Sequence, residues 1–317
     1  KKTFVKNKEI KVAIGHDCRN NSRLYAEISA RIFAANGIKA YLFEDLRPTP
    51  ELSFAIRELG CQSGIVLTAS HNPKEYNGFK VYDPNGCQLT PDLIEKVYPF
   101  YHDITNELSI KVEKDLSLWH VLDDALDRRY YQAILQLTIQ PSLDYNKVHV
   151  VYSSQHGTGY EPMKYLLDTL GYRVSFVEEQ CVIDPQFSKT LSPNPEVKEA
   201  YDRAIQLAKK TGAHIILSTD PDADRIGVVE MLDNQPWYIT GNQLGALLID
   251  YILTHKKGVE NGVIFDTIVT SRFGGNIAAK KGVEVKSTLT GFKYIGNQIE
   301  QLADHKRFLF GYEESYG

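Results

Sequence analysis

The sequence has 317 residues, of which 43% are hydrophobic, and it carries a formal net charge of −4 with an isoelectric point near 6.2. This length and apolar content predict two or three domains of roughly 100–200 residues each. At this net charge there is no basic excess to suit a phosphate backbone, so we expect no nucleic-acid partner.

Three features bear on membranes and compartment. No apolar run approaches the roughly 18 residues that a membrane-spanning helix needs, so we expect no membrane partner. The opening residues "KKTFVKNKEI" lack the apolar core of a signal peptide. The four cysteines form no CxxC pair, which is typical of a reducing compartment. We therefore expect a cytoplasmic protein, and the sequence leaves its oligomeric state open.

The first part of the chain alternates between strand-like and helix-like segments. "KVAIGH" (11–16) and "KAYLFE" (39–44) predict strands, and "SRLYAEISARIFAANG" (22–37) between them has apolar residues at helical spacing. "PELSFAIRELG" (50–60) predicts a helix that Pro opens and Gly closes, and "SGIVL" (63–67) predicts a third strand. This order predicts a mostly parallel sheet with helices on both faces.

The same alternation restarts twice along the chain. It restarts at 147–179, continues through 213–220, and restarts again at 262–271, with helices predicted at 127–137 and 241–253. We interpret the pattern as an α/β protein of successive α/β/α domains with mixed, mostly parallel sheets around a central active-site cleft. The predicted domains are 1–140, 141–240 and 241–317.

Ligands gather at the carboxyl ends of strands in parallel α/β sheets, and the first polar loop in such a position is "TASHNP" (68–73). Lys80, in the extended "GFKVY" that follows, could present a cation to a group carried by Ser70. The loop is not a G-x-S-x-G elbow, because Thr68 and Asn72 replace the glycines. The residues alone favour a turn rich in Ser, Asn and Pro over a nucleophile loop, and both remain open.

The second polar loop is "STDPDADR" (218–225), in which Asp220, Asp222 and Asp224 alternate with small residues. At ~4 Å and an effective dielectric constant near 20, each pair of carboxylates repels by about 4 kcal/mol, which favours a bound cation. Oxygen ligands favour Mg²⁺. An EF-hand does not fit, since Arg225 stands where its glycine would be. A solvated acidic turn is the alternative.

The third polar loop is "SSQHGTGYEP" (153–162), which resembles part of a dinucleotide fingerprint. Pro162 occupies the third glycine position, so the G-x-G-x-x-G pattern is incomplete. The pattern favours a tight strand-to-helix turn over NAD binding.

The fourth region combines "STLTGFKYIG" (287–296) with "FLFGYEESYG" (308–317). Glu313, Glu314 and Ser315 follow an apolar strand and could hydrogen-bond to sugar hydroxyls. A strand end with exposed acids fits these residues equally well.

Seven motifs occur in a definite order along nearly the whole chain: "TASHNP", "NGFKVY", "HGTG", "SPNPE", "DPDADR", "TLTGFKYIG" and "GYEESYG". In this order they resemble the motifs of the α-D-phosphohexomutase family, and within it those of the phosphoglucomutases. Any one short motif could arise by chance, whereas seven in order are specific.

The resemblance implies a role for each motif. Ser70 resembles the serine that is phosphorylated in the active enzyme, with His71 in the same loop and Lys80 assisting proton transfer. The implied Mg²⁺ ligands are Asp220, Asp222, Asp224 and an oxygen of phosphorylated Ser70. The implied substrate contacts are Arg225, Thr290, Gly291, Glu313 and Ser315.

The resemblance also implies a reaction. It is the Mg²⁺-dependent interconversion of glucose 1-phosphate and glucose 6-phosphate through a phosphoserine and glucose 1,6-bisphosphate, which also serves as activator. The aromatic residue in "EESYG" resembles phosphoglucomutases, while a phosphomannomutase or another phosphohexose mutase remains an alternative. A phosphosugar-binding protein without turnover is a further alternative, and an oxidoreductase depends on "HGTG" alone.

The sequence departs from the family pattern at both ends. Family members usually have an Arg-Gly motif ahead of the first strand, and a fourth domain that binds the phosphate that is not transferred. This sequence lacks the former and stops at Gly317, so the resemblance implies that a fourth domain is missing from the chain.

Overall fold

The computed structural model describes residues 9–112 and 117–317, and the chain divides into two compact units, Lys1–Tyr130 and Tyr131–Gly317. The strands are β1 Lys11–His16, β2 Lys39–Phe43, β3 Ser63–Leu67, β4 Phe79–Tyr82, β5 Trp119–Leu122, β6 His149–Ser153, β7 Arg173–Phe176, β8 Ile215–Thr219, β9 Ile226–Leu232, β10 Gln235–Ile239, β11 Gly262–Thr267, β12 Glu284–Thr288 and β13 Arg307–Gly311. The helices are α1 Ser22–Ala35, α2 Thr49–Glu58, α3 Pro91–Glu95, α4 Tyr98–His102, α5 Asp124–Leu135, α6 Tyr160–Leu170, α7 Asp202–Thr211, α8 Gly241–His255, α9 Arg272–Lys280 and α10 Phe292–Glu300.

The first unit is built on one sheet with the strand order β4-β3-β1-β2-β5. β1 runs parallel to β2 and β3, β5 runs parallel to β2, and β4 returns antiparallel to β3. Successive side chains of β1 point to opposite faces of the sheet. Ala13 packs in one core with Leu52 of α2, whereas Val12 and Ile14 pack in another with Ala26 of α1.

The second unit contains two sheets, with the strand orders β10-β9-β8-β6-β7 and β12-β11-β13. In the first sheet β6 runs parallel to β7 and β8, while β9 and β10 are antiparallel additions. The core of this sheet joins Val151 and Ile216 to Ala204 of α7. In the second sheet all pairings are parallel, and Ile264 packs with Ile249 of α8.

The predicted fold class is therefore confirmed: the sheets are mixed, mostly parallel and covered by helices. Three edge strands, β5, β10 and β12, were not predicted. β5 has four residues with Val121 exposed, and β10 contains Pro236, which only an edge strand tolerates. Helix α5 begins earlier than predicted because Asp123 accepts a hydrogen bond from the Ala125 N–H and caps its first turn. Within the described residues, none of the helices has the length and apolarity needed to cross a bilayer.

A buried acid lies in the first unit away from the polar loops. Glu51 of α2 is fully buried, and Asp127 of α5 is nearby, paired with Arg47 at 2.6 Å. Burial and the negative charge of Asp127 raise the pKa of Glu51 to about 9, whereas its ordinary value is 4.5. Glu51 is therefore protonated in the folded protein at neutral pH, while the unfolded chain ionises it.

Because the pKa of Glu51 is higher in the folded state than in the unfolded state, stability is lost as pH rises from about 4.5 to about 9. The loss is at most about 1.4 kcal/mol per pH unit. We expect Glu51→Gln to flatten this dependence, so that the variant gains on the wild type as pH rises. Urea unfolding at pH 5, 6.5 and 8 measures the difference.

Glu58→Gln is the matched control, because Glu58 lies on the same helix, is partly exposed and pairs with Arg129. Its unfolding free energy should follow the wild type across this pH range. Parallel pH profiles for Glu51→Gln and the wild type would contradict a protonated Glu51.

Candidate functional site

The Ser70 loop, residues 68–78, connects β3 to β4 at the carboxyl end of β3. Ser70 is 8% exposed, and its φ of +51° lies in the left-handed region. This conformation costs a residue other than glycine about 1–2 kcal/mol, so neighbouring groups must hold it. The Ser70 N–H donates to Thr68 Oγ1 at 2.9 Å, and Ser70 Oγ lies 3.2 Å from Nδ1 of His71.

The return strand passes close to this loop. The Thr68 N–H donates to the Gly78 carbonyl at 3.1 Å, and a Cβ on Gly78 would lie 2.5 Å from the Thr68 carbonyl oxygen. Only glycine allows this approach. Lys80 then pairs with Val66 across the β3–β4 ladder and is partly buried. The predicted residues Ser70, His71 and Lys80 thus belong to one short loop-and-strand segment.

Arg19 is a residue of this region that sequence analysis did not identify. Its side chain is fully buried between β1 and α1, and its guanidinium donates to the Ser70 carbonyl at 2.7 Å. Its Nε lies 3.2 Å from Oδ2 of Asp17. Burial raises the pKa of Asp17, and hydrogen bonds from Arg19, Thr68 and Ser22 oppose that rise. The signal in the sequence was "HDCRN", polar residues directly after the first strand, at the same edge of the sheet as Ser70.

The aspartate loop, residues 220–225, follows β8 in the second unit. Carboxylate oxygens of Asp220, Asp222 and Asp224 lie within 4.8 Å of one another, and the first two residues are fully buried. Ala223 adopts a φ of +52°, and the Arg225 N–H donates to Asp220 Oδ1 at 3.1 Å. At this spacing each ionised pair repels by about 3 kcal/mol at an effective dielectric constant near 20. Burial and an all-oxygen donor set fit a hard divalent cation such as Mg²⁺.

The "HGTG" turn packs directly against the aspartate loop. The Thr158 N–H donates to the Pro221 carbonyl at 2.9 Å, and a Cβ on Gly157 would lie 2.3 Å from Pro221 Cα. The N–H groups of His156 and Gly157 donate to the carbonyls of Gln180 and Ser154. Because these N–H groups are already bonded within the protein, they do not form a pyrophosphate cradle, which supports the turn over NAD binding.

The "SPNPE" segment contributes a charge next to the aspartate loop. Glu196 Oε1 lies 2.7 Å from Nη1 of Arg225, with side-chain exposures of 36% and 22%. A buried side chain also binds the segment, since the hydroxyl of Tyr201 donates to the Pro195 carbonyl at 2.7 Å. The ion pair links the Arg225 guanidinium, at the end of the aspartate loop, to the "SPNPE" segment.

The Glu313 loop, residues 312–317, follows β13 in the same unit. Glu313 is 8% exposed and accepts a hydrogen bond from the Gly291 N–H. Burial raises the pKa of Glu313, and this hydrogen bond opposes the rise. Of the other predicted residues here, Thr290 is exposed and Ser315 is partly exposed.

Three hydrogen bonds fix the Glu313 loop within the second unit. Glu314 Oε2 accepts hydrogen bonds from the hydroxyls of Thr267 and Thr270 at 2.9 and 3.1 Å. The Ile226 N–H donates to the Tyr316 carbonyl at 3.0 Å, which joins the Glu313 loop to the end of the aspartate loop. The second unit therefore contains the three predicted aspartate ligands, Arg225 and the predicted sugar-binding residues, and hydrogen bonds join the aspartate loop to the Glu313 loop and the Glu313 loop to Gly291.

Three family models match the chain. They describe the alpha/beta/alpha domains I, II and III of phosphoglucomutase/phosphomannomutase and match residues 2–108, 128–232 and 240–317.

Individual proteins show the same similarity. A phosphoglucomutase of Staphylococcus haemolyticus is 40% identical over 322 residues, which cover 99% of this chain and 58% of that protein. The Paramecium structure of the exocytosis-sensitive phosphoprotein parafusin, a phosphoglucomutase, has a TM-score of 0.76 at 23% identity and covers 98% of this chain and 60% of that chain. Aspergillus fumigatus N-acetylphosphoglucosamine mutase, in complex with GlcNAc-6P and magnesium, has a TM-score of 0.52 at 14% identity and covers 84% and 63%. The chain thus spans a little over half the length of the curated relative.

Substitution of Asp222 should change the stability of the second unit in opposite directions without and with Mg²⁺. Without divalent cations, Asp222→Asn should stabilise the second unit, because it removes a buried charge that repels two others. With Mg²⁺ the order should reverse, since the wild type gains about 2.7 kcal/mol when free Mg²⁺ is 100 times its dissociation constant and the variant gains much less. Thermal unfolding with EDTA and with Mg²⁺ measures both.

Asp233→Asn is the matched control, since Asp233 is exposed in the β9–β10 turn of the same unit. It should respond to Mg²⁺ as the wild type does. A variant at Asp222 that gains as much from Mg²⁺ as the wild type would contradict a cation site at these carboxylates.

Proposed function

Because the chain belongs to the phosphoglucomutase/phosphomannomutase family, we propose that its protein is a Mg²⁺-dependent phosphoglucomutase that interconverts glucose 1-phosphate and glucose 6-phosphate. The observation that carries the proposal is Ser70, held in a left-handed conformation by buried hydrogen bonds at the carboxyl end of β3. The name of the curated relative supports glucose phosphates as substrates.

Ser70 is assigned as the phosphoryl carrier. Its Oγ lies within hydrogen-bond reach of Nδ1 of His71, at 3.2 Å, which orients the oxygen. In the first step the bond from phosphorus to Ser70 Oγ breaks as a bond to a hydroxyl oxygen of the hexose monophosphate forms. The sugar hydroxyl loses its proton and Ser70 Oγ gains one as it leaves phosphorus, and we assign Lys80 to assist this proton transfer. Glucose 1,6-bisphosphate is thus formed, and after it reorients, the other phosphoryl group returns to Ser70.

The second unit supplies charge and sugar contacts in this proposal. Asp220, Asp222 and Asp224 hold the cation, and phosphorylated Ser70 is assigned as a further ligand. When bound there, Mg²⁺ neutralises charge on the phosphoryl oxygens. Arg225, oriented by Glu196, binds phosphate oxygens. The residues assigned to the sugar hydroxyls are Thr290, Gly291, Glu313 and Ser315.

We assign the protein to the cytoplasm. We assign the three domains to residues 1–140, 141–240 and 241–317. The sheets support the domain division, because within the described residues each sheet takes its strands from one of these ranges. Glucose 1,6-bisphosphate acts as activator, since it can phosphorylate Ser70 directly.

A phosphomannomutase is the second candidate, since the matching family models cover both activities. Glucose and mannose differ only in the configuration of one hydroxyl, so the Glu313 loop decides between them. The ratio of kcat/KM for glucose 1-phosphate to that for mannose 1-phosphate measures the choice, and a ratio below one would favour the mannomutase.

We expect the complete protein, incubated with Mg²⁺ and glucose 1,6-bisphosphate, to acquire one phosphoryl group on Ser70. Excess glucose 1-phosphate should remove it, because the sugar hydroxyl accepts the group. Intact-protein and peptide mass spectrometry follow both steps. Ser70→Ala should acquire no phosphoryl group and lose turnover by a factor of at least about 10³, which is equivalent to about 4 kcal/mol in the barrier.

Ser29→Ala is the matched control, because Ser29 lies on α1 of the same unit and its hydroxyl donates to the Tyr25 carbonyl. It should be phosphorylated and turn over normally. A folded wild type that binds glucose 1,6-bisphosphate without phosphorylation would instead indicate a phosphosugar-binding protein.

A further inference from the structure

The Ser70 loop is organised around one side chain from outside it. Arg19 follows β1, and β1 runs parallel to β3, so the residues after both strands meet at one edge of the sheet. The Arg19 side chain is fully buried there. A buried arginine needs a partner for each of its donors, because an unpaired charged group in the interior is costly.

The donors of Arg19 are met almost entirely by backbone carbonyls of the Ser70 loop. Nη2 donates to the carbonyls of Ser70 at 2.7 Å and Asn72 at 2.5 Å. Nη1 donates to the carbonyls of Pro73 at 2.8 Å and Tyr76 at 2.9 Å. One guanidinium therefore gathers four carbonyl oxygens from a single stretch of loop.

Asp17 fixes the guanidinium from the other side. Its Oδ2 lies 3.2 Å from Arg19 Nε, and its Oδ1 accepts from the Arg19 N–H at 2.9 Å and from Ser22 Oγ at 2.8 Å. On the other side of the peptide, Thr68 Oγ1 accepts from the Ser70 N–H at 2.9 Å. Both peptide groups of Ser70 are thus held by side chains, the carbonyl by Arg19 and the N–H by Thr68.

We propose that Arg19 is a positioning residue for Ser70: its guanidinium holds the loop in the one conformation that keeps the Ser70 backbone left-handed and its Oγ in place for phosphoryl transfer. The inference depends on the proposed role of Ser70. Because Asp17 neutralises Arg19 and the side chain is buried, Arg19 acts through geometry and does not contact the substrate.

Lysine cannot take the place of Arg19 in this arrangement. An ammonium group has three donors around a single nitrogen, whereas the guanidinium directs five donors in one plane to acceptors spread along the loop. Arg19→Lys keeps the charge that Asp17 needs but leaves loop carbonyls without a donor. The Ser70 loop should then sample other conformations while the charge balance of the site is kept.

The test measures the rate at which glucose 1,6-bisphosphate phosphorylates Ser70 in the complete protein with Mg²⁺. For Arg19→Lys we expect this rate and kcat to fall by at least about 10²-fold, as for a displaced reacting group, while KM changes by less than about threefold. Amide hydrogen exchange of Thr68 and Ser70 should become faster. Stabilisation of the unphosphorylated protein by Mg²⁺ should be unchanged, since the three aspartate ligands lie in the second unit.

Arg47→Lys is the matched control, since Arg47 is a largely buried arginine of the same unit that pairs with Asp127 at 2.6 Å. It should lose stability to a similar extent, yet keep the phosphorylation rate and the exchange of the Ser70 loop. If it slows phosphorylation as much as Arg19→Lys does, loss of stability explains the effect and the proposal is overturned.

The remaining outcomes are also decisive. Phosphorylation of Arg19→Lys at the wild-type rate would overturn the positioning role, whereas a wild type that is never phosphorylated would refute the proposed function itself. If Arg19→Lys does not fold, Thr68→Val decides, because it keeps shape and removes the oxygen that accepts from the Ser70 N–H. A phosphorylation rate reduced about tenfold or more supports the proposal, and an unchanged rate overturns it.

Discussion

The Ser70 loop, the aspartate loop and the Glu313 loop each lie at the end of a parallel strand, where the backbone leaves the sheet and its polar groups lose their ladder partners. Such groups must find other partners when they are buried. Around Ser70 the partners are the guanidinium of Arg19 and the hydroxyl of Thr68. Around the aspartates the partner is the Thr158 N–H of the neighbouring turn. In these loops, protein groups take the place of water as hydrogen-bond partners of the backbone. The loop backbones are thereby satisfied and held in place.

Buried carboxyl groups are handled in two different ways. Glu51 avoids an unpaired charge by keeping its proton, because burial and Asp127 raise its pKa to about 9. The three aspartates after β8 share one small volume, and their oxygen ligands suit a cation. The two sites differ in access to solvent: Glu51 is fully buried and stays neutral beside Asp127, whereas the aspartate cluster includes the exposed Asp224 and is open to an ion from solvent.

Structure could be predicted from the sequence where a side-chain pattern has one main physical cause. Apolar runs predicted β1, β3, β6 and β8, and alternating aspartates predicted a cluster that the structure brings together. Edge strand β10 was missed because Pro236 argues against a strand at that place in the sequence. Arg19 was missed for a deeper reason. Its partners are backbone carbonyls more than fifty residues away. Because every residue has a backbone carbonyl, no pattern of side chains predicts these contacts.

The close fit of the "HGTG" turn against the aspartate loop also bears on the order of folding. Gln155 Nε2 donates to Ser218 Oγ across 63 residues of sequence, and Gly157 touches Pro221 beyond it. Contacts of such long sequence separation cost conformational entropy, because the intervening chain must be ordered when they form. We therefore expect a cation to reinforce this part of the protein once β6 and β8 have paired.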